Sequence, residues 1–134
     1  YDGLVADLGG QSTPAVGFAL GCERVIELLQ QKINLTHKLD VYLITVGEVA
    51  ENIGVLLAEL IRRECPKITL LANCGGGSFK SQFKRADKSG AQFALVLGDD
   101  EIKNNTIAVK YLREEKPQIV ISTDKIFSFL NENV

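Results

Sequence analysis

The feature that most restricts what this chain can fold into lies between residues 40 and 97. Continuous apolar runs alternate there with amphipathic stretches. Asp40–Val46 (DVYLITV) is β-branched and almost wholly apolar, as in a strand buried on both faces. Glu48–Glu64 places Val49, Ile53, Leu56, Leu57, Leu60 and Ile61 on one helical face. Glu48 and Glu51 open that helix and Arg62 and Arg63 close it, which complements the helix dipole, and Pro66 stops it. Ile68–Ala72 reads as a short strand. A helix follows from Phe79 to about Lys88, with Ser78 as its N-cap, Gly90 past its end, and Phe79, Phe83 and Ala86 as its buried stripe. Gln92–Leu97 (QFALVL) is a third strand and Gly98–Asn105 a polar turn. Thr106–Leu112 and Gln118–Ser122 are strands, and Thr123 or Asp124 caps a last helix bearing Ile126, Phe127, Phe129 and Leu130. The order β-α-β-α-β-β-β-α predicts an α/β fold: a mixed sheet of about five strands, part parallel and part antiparallel, packed with about three helices.

The upstream third is less regular. Residues 1–13 read as a loop or short turn. Val16, Phe18 and Leu20 alternate like a strand, and Leu20, Val25, Ile26, Leu28 and Leu29 follow with helical spacing, which sets a strand-to-helix junction near Gly21. Residues 30–39 lose periodicity and read as a linker, dividing the chain into 1–35 and 36–134. With 134 residues, this is one domain or one domain plus part of another. An apolar fraction of 46% and a charged fraction of 24% exclude wholesale disorder and fibrous repeats. No apolar run reaches the ~18–20 residues of a membrane span, and no signal peptide is visible. The chain contains no methionine and opens at Tyr1, so it is expected to be a piece of a longer protein. Cys22, Cys65 and Cys74 form no C-x-x-C pair. Their expected state is reduced thiols in a cytoplasmic protein, with no metal site.

A net charge of −2 gives no bulk attraction to a polyanion. The local pattern differs. Gly75–Lys88 (GGGSFKSQFKRADK) sets Lys80, Lys84, Arg85 and Lys88 against Asp87 alone. Lys80, Lys84 and Lys88 fall in one stripe of a helix, where like charges repel by a few tenths of a kcal/mol per pair. A polyanion laid along the stripe would offset that repulsion. Gly75, Gly76 and Gly77 permit unusual backbone angles and close approach, and a helix start offers free N–H groups. A phosphate backbone or the bases of a single-stranded loop suit such a place. A solvated helix face after a flexible turn is the alternative. The P-loop pattern is absent, and a small-molecule phosphate site is the weaker option.

Gly17–Arg24 (GFALGCER) sets Gly17 and Gly21 before Glu23 and Arg24 at a helix start. Either it lets a ring or phosphate approach, with Arg24 making bidentate contacts, or it is a packing junction with a surface ion pair. His37 has no partner at a telling distance and reads as solvated, as does the cluster Asp99, Asp100 and Glu101. No hydrolase triad, paired carboxylates or metal motif is visible.

These residues resemble a known family. Tyr1–Leu4 (YDGL) is similar to the end of the G-G-R-Y-D-G-L motif of histidyl-tRNA synthetases. Thr13–Leu29 (TPAVGFALGCERVIELL) resembles class II motif 3 in its histidyl form, and residues 40–134 resemble the anticodon-binding domain of that subclass, most specifically in GGGSFKSQFKRADKSGAQFALVLGDDE. The resemblance implies that residues 1–35 are the edge of a catalytic domain plus a linker, and 36–134 the anticodon-binding domain. It implies a homodimeric parent that activates histidine with ATP and Mg²⁺ and esterifies it to its tRNA. In the parent, Arg24 would contact ATP phosphate or flank the adenine, with Glu23 supporting it. Gly17 and Gly21 would admit the nucleotide, and Tyr1, Asp2 and Gly3 would lie near the histidine pocket. Motifs 1 and 2 are not in the chain, so these 134 residues are expected to be inactive alone. The anticodon stem-loop would be held by Lys80, Gln82, Lys84, Arg85 and Lys88, with Asn73 and Gly75, Gly76, Gly77 and Ser78 near the bases. A synthetase-like regulatory or interaction module is the competing expectation.

Overall fold

The computed structural model describes residues 1–33 and 38–134. His37 and most of the expected linker core lie outside the described residues. The chain divides into two compact units, Tyr1–Thr36 and His37–Val134.

In the first unit, a four-residue helix α1 (Leu4–Asp7) stands where only a loop or turn is expected. Gly9, at φ +85°, follows it. The strand expected over Val16–Leu20 does not form. A strand requires a partner to pair its edges, and residues 11–21 have none among the described residues. Val16, Phe18 and Leu20 are 99%, 94% and 68% exposed. The helix after the junction does form, as α2 (Cys22–Gln30), starting directly after Gly21.

The second unit is a five-stranded sheet in the order β2-β1-β3-β4-β5. Its strands are β1 (Val41–Thr45), β2 (Leu70–Ala72), β3 (Phe93–Leu97), β4 (Thr106–Tyr111) and β5 (Ile119–Ser122). β1 is parallel to β2 and β3, with Val41 beside Leu70 on one side and Phe93 on the other. β3–β4 and β4–β5 are antiparallel, setting Phe93 opposite Tyr111 and Thr106 opposite Ser122. Every residue of β1 and β3 is buried, because helices cover both faces of these strands. On one face Val41, Leu43, Leu95 and Leu97 pack with α3 (Glu48–Glu64) and α6 (Ile126–Asn133). On the other, Tyr42, Ile44, Ala94 and Val96 pack with Ala86 of α4 (Phe79–Lys88). Asp40 staples the amino ends of the strands: its carboxylate accepts from the Thr69 N–H at 2.9 Å, the Thr69 hydroxyl at 2.7 Å and Gln92 Nε2 at 3.1 Å.

In the second unit the sequence expectations need correction at four places. Gly98–Asn105 is not a plain turn; it contains the helix α5 (Asp99–Lys103). Its first turn holds Asp99, Asp100 and Glu101, which favour a helix start, and the Glu101 carboxylate accepts from the Gly98 N–H at 3.0 Å. The buried face of α3 is rotated: Ala50, Gly54, Leu57, Ala58 and Ile61 are buried, while Val49 and Leu56 are exposed. Small residues set that rotation by letting the helix lie close to the sheet. A Cβ on Gly54 would stand 2.4 Å from Thr45 Cγ2. On α4, Phe79 is 46% exposed and Gln82 is fully buried in its place. Gln82 meets the last residue of β1, so Phe79, one turn earlier, overhangs the strand end. Finally, neither Thr123 nor Asp124 caps α6. A 3-10 turn, Thr123–Lys125, leads into it, and Asp124 accepts from the Ser122 hydroxyl.

Candidate nucleic-acid interface

The carboxyl ends of β1, β2 and β3 meet the amino end of α4. In open α/β sheets ligands bind outside these strand ends. A crevice of about 330 Å³ lies here, lined by Thr45, Glu51, Asn52, Asn73 and Cys74 with Gly75 and Gly76 at its lip.

The lip is an ordered loop. Gly75, Gly76 and Gly77 have φ of +83°, +62° and +107°, a left-handed run that side chains disfavour. A Cβ on Gly77 would also stand 2.7 Å from Ser81 Oγ and 2.8 Å from Arg85 Nη2. The loop's carbonyls are bound from within the protein. Gly76 O accepts from Asn73 Nδ2 at 3.2 Å and Arg85 Nη2 at 2.6 Å, and Gly77 O accepts from Gln82 Nε2 at 2.8 Å. Ser78 then caps α4, its Oγ accepting from the Ser81 N–H at 3.3 Å. Gly90, at φ +80°, follows the other end of the helix.

Lys80, Lys84 and Lys88 are exposed along α4, and among the described residues none of the three joins an ion pair. The one carboxylate of the helix, Asp87, faces Arg113 Nη2 at 3.3 Å. Two further cations extend the face. Lys110 Nζ lies 4.5 Å from the centre of the Phe83 ring, a cation–π placement. Arg113 Nε donates to Ala91 O at 3.0 Å and Nη2 donates to Asp87 O. The basic surface therefore spans α4 and the exit of β4.

The expected contact residues separate into two kinds. Lys80, Lys84, Lys88 and Ser78 are open to solvent. Gln82 is not: it is fully buried, its Oε1 accepting from the Thr45 N–H at 3.1 Å and its Nε2 donating to Thr45 O at 2.6 Å. Its expected role as a direct RNA contact is thereby corrected to an inward one. Asn73 is half-buried, and its Oδ1 accepts from the Tyr42 hydroxyl at 3.2 Å. Arg85 is exposed yet engaged with Gly76. Lys110 and Arg113 escaped the sequence reading. The alternation Ala108, Lys110, Leu112 signals that the three share a face, but only the packing shows that it is the face α4 covers.

In the first unit the structure joins the expected nucleotide-side residues in part. Asp2 Oδ1 accepts from the Ala15 N–H at 3.1 Å, and the Tyr1 ring lies so near Gly17 that a Cβ there would meet Tyr1 Cε2 at 3.2 Å. Gly3 precedes α1, and Gly21 precedes α2, where Glu23 and Arg24 are both exposed. Among the described residues no three His, Cys, Asp or Glu side chains come together as metal ligands. No described helix is long and apolar enough to cross a membrane.

The unit is a small α/β domain with a glycine-rich lip and a lysine face on one helix. Residues 40–133 match the family model described as the anticodon binding domain, and the chain belongs to that family. The relatives specify which kind. The histidine–tRNA ligase of Hydrogenovibrio crunogenus is 51% identical over 133 residues, 97% of this chain and 31% of that protein. That of Coxiella burnetii is 48% identical over 130 residues, with the same coverages of 97% and 31%. The chain thus spans about a third of the length of the curated relatives it matches. The apo histidyl-tRNA synthetase of S. aureus has a TM-score of 0.64 at 31% identity, covering 97% of this chain and 38% of that one. The RNA-binding domain of threonyl-tRNA synthetase from Cryptosporidium parvum has a TM-score of 0.65 at 9% identity over 71% of this chain and 23% of that chain, a likeness of fold alone.

Proposed function

We propose that this chain is the tRNA-reading part of a histidine–tRNA ligase, gripping the anticodon stem-loop between the lysine face of α4 and the glycine lip. The observation that carries this reading is the pairing pattern: Lys80, Lys84 and Lys88 stand exposed without ion-pair partners among the described residues, while the one carboxylate of their helix is turned to Arg113. Ammonium groups hold phosphates and set register, and groups at the lip read unpaired bases on their edges. Lys80, Lys84 and Lys88 with Lys110 are the phosphate-binding set. Asn73, Arg85 and Gly75–Ser78 form the base-reading side.

The parent would activate histidine with ATP and transfer it to tRNA in the cytoplasm, as a homodimer. Toward that reaction this chain would offer Tyr1, Asp2 and Gly3 near histidine, Gly17 and Gly21 beside the nucleotide, and Arg24 with Glu23 toward the phosphates. Mg²⁺ would accompany the ATP phosphates in the parent. A preorganised charge-stabilising site requires several groups held together, and Arg24 alone does not make one.

The test is binding of a histidine anticodon stem-loop RNA across a salt series. Affinity should fall steeply with salt, the slope counting phosphates contacted. The double change Lys84→Glu, Lys88→Glu should weaken binding at low salt and flatten the slope by about 2, near 1 for each phosphate contact removed. An unchanged slope would remove the lysine stripe from the interface.

A further inference from the structure

The last rung between β1 and β2 is the bond from the Asn73 N–H to Leu43 O, at 2.9 Å. Alternate residues of a strand present N–H and C=O to the same side, so Thr45 also faces the β2 edge. β2 ends at Ala72 and the chain turns away into the glycine loop. Gln82 fills the gap. Its carboxamide accepts from the Thr45 N–H and donates to Thr45 O, the two bonds that successive peptide units of a continued β2 would make. The second hydrogen of the same Nε2 goes to Gly77 O at 2.8 Å. One fully buried side chain thus ties the end of β1 to the lip. Burying so polar a group is favourable only because all three bonds are made. An apolar residue there would leave the Thr45 N–H and C=O and the Gly77 C=O without this partner, so the amide both completes the strand end and fixes the loop.

Building on the RNA-binding reading above, we infer that Gln82 is a positioning residue for anticodon discrimination. It touches no RNA. It fixes Gly77, and with Arg85 and Asn73 on Gly76 it holds the 75–78 lip in one conformation, so that the correct bases fit and others do not. The lysine stripe supplies affinity without discrimination, and the Gln82 tie supplies discrimination with little effect on the charge contacts. Preorganisation of this kind lowers the ordering cost of the correct complex.

Two variants separate this role from a purely structural one. Gln82→Met keeps the side-chain length and removes all three bonds. Gly77→Ala keeps the Gln82 side chain but strains the loop at its other end, setting a methyl on a φ of +107°, 2.7 Å from Ser81 Oγ and 2.8 Å from Arg85 Nη2. The probes are the histidine anticodon hairpin and the same hairpin with one anticodon base changed. The ratio of their dissociation constants should fall by about tenfold in each variant, while the salt slope on the cognate hairpin stays that of the unmodified chain. Amide hydrogen exchange at 75–78 should quicken in Gln82→Met, with protection at β3 retained. If Gln82→Met does not fold, Gly77→Ala carries the RNA comparison. Unchanged discrimination in a folded variant overturns the inference, as does unchanged exchange at the lip in Gln82→Met. If the unmodified chain binds neither hairpin, the RNA-binding reading itself falls, and the discrimination role falls with it.

Discussion

Cys65 shows how much a single position depends on its surroundings. The sequence offers three equivalent thiols; the structure buries Cys65 and leaves Cys22 and Cys74 exposed. Burial pushes the Cys65 thiol up, a hydrogen bond with Asn131 pulls the other way, and the nearby Glu64 charge adds to the rise. A thiol reagent should therefore titrate two groups quickly in the native chain and the third only on unfolding. The sign of the pH effect follows. A raised folded value means that the unfolded chain ionises first, so this contribution to stability is complete below the ordinary thiol value near ~8.5 and is lost as pH rises through the folded value. Denaturant midpoints of the native chain and of Cys65→Ala should converge as pH is raised from 8. Gln82 teaches the same lesson. Its type and place near a basic stripe suggested an RNA contact, and only its burial against Thr45 reverses that.

The helices carry predictions of their own. Ser78 was legible as an N-cap because a residue with an accepting hydroxyl precedes an apolar-periodic run, and its bond to the Ser81 N–H is present. Ser78→Ala should cost about 1 kcal/mol, lowering the melting temperature of a domain this size by about 4–8 °C. Calorimetry on the chain checks both. α3 tests the close approach of helix and sheet. Gly54→Ala sets a methyl 2.4 Å from Thr45 Cγ2, and the helix must shift outward or Thr45 must change rotamer. Overpacking of this kind costs about 1–3 kcal/mol, although alanine favours an isolated helix over glycine. A variant more stable than the parent would contradict the packing described. The rotation of α3 was hidden in the sequence because large apolar residues mark a stripe more visibly than Ala50, Gly54 and Ala58 do. α5 was hidden because a five-residue helix is too short to show periodicity.

For the whole molecule, net charge misleads. A chain at −2 carries a face whose cations come from α4, β4 and the segment after it. Raising ionic strength should weaken RNA binding although the protein is acidic, and Lys110→Glu should act additively with the α4 lysines. Histidine-dependent ATP–pyrophosphate exchange should be undetectable for these 134 residues, and a measurable rate in pure material would refute the view that one arginine is insufficient. The sheet itself was legible from its runs: strands buried on both faces read as continuous apolar segments, and their alternation with helices restricts the topology. The failure of Val16–Leu20 to form a strand was not legible, since alternation describes a strand's faces and not whether another strand is there to pair with it. By itself the sequence determined the order of the five sheet strands with the helices α3, α4 and α6, the Ser78 cap, the glycine lip and the lysine row, because each is set by residues close along the chain. The tertiary structure alone decided that Gln82 points inward, that Lys110 and Arg113 join the basic face, and that one of three thiols is shielded. Those outcomes depend on which faces meet across the sheet, and contacts between residues distant in sequence leave no periodic mark on it.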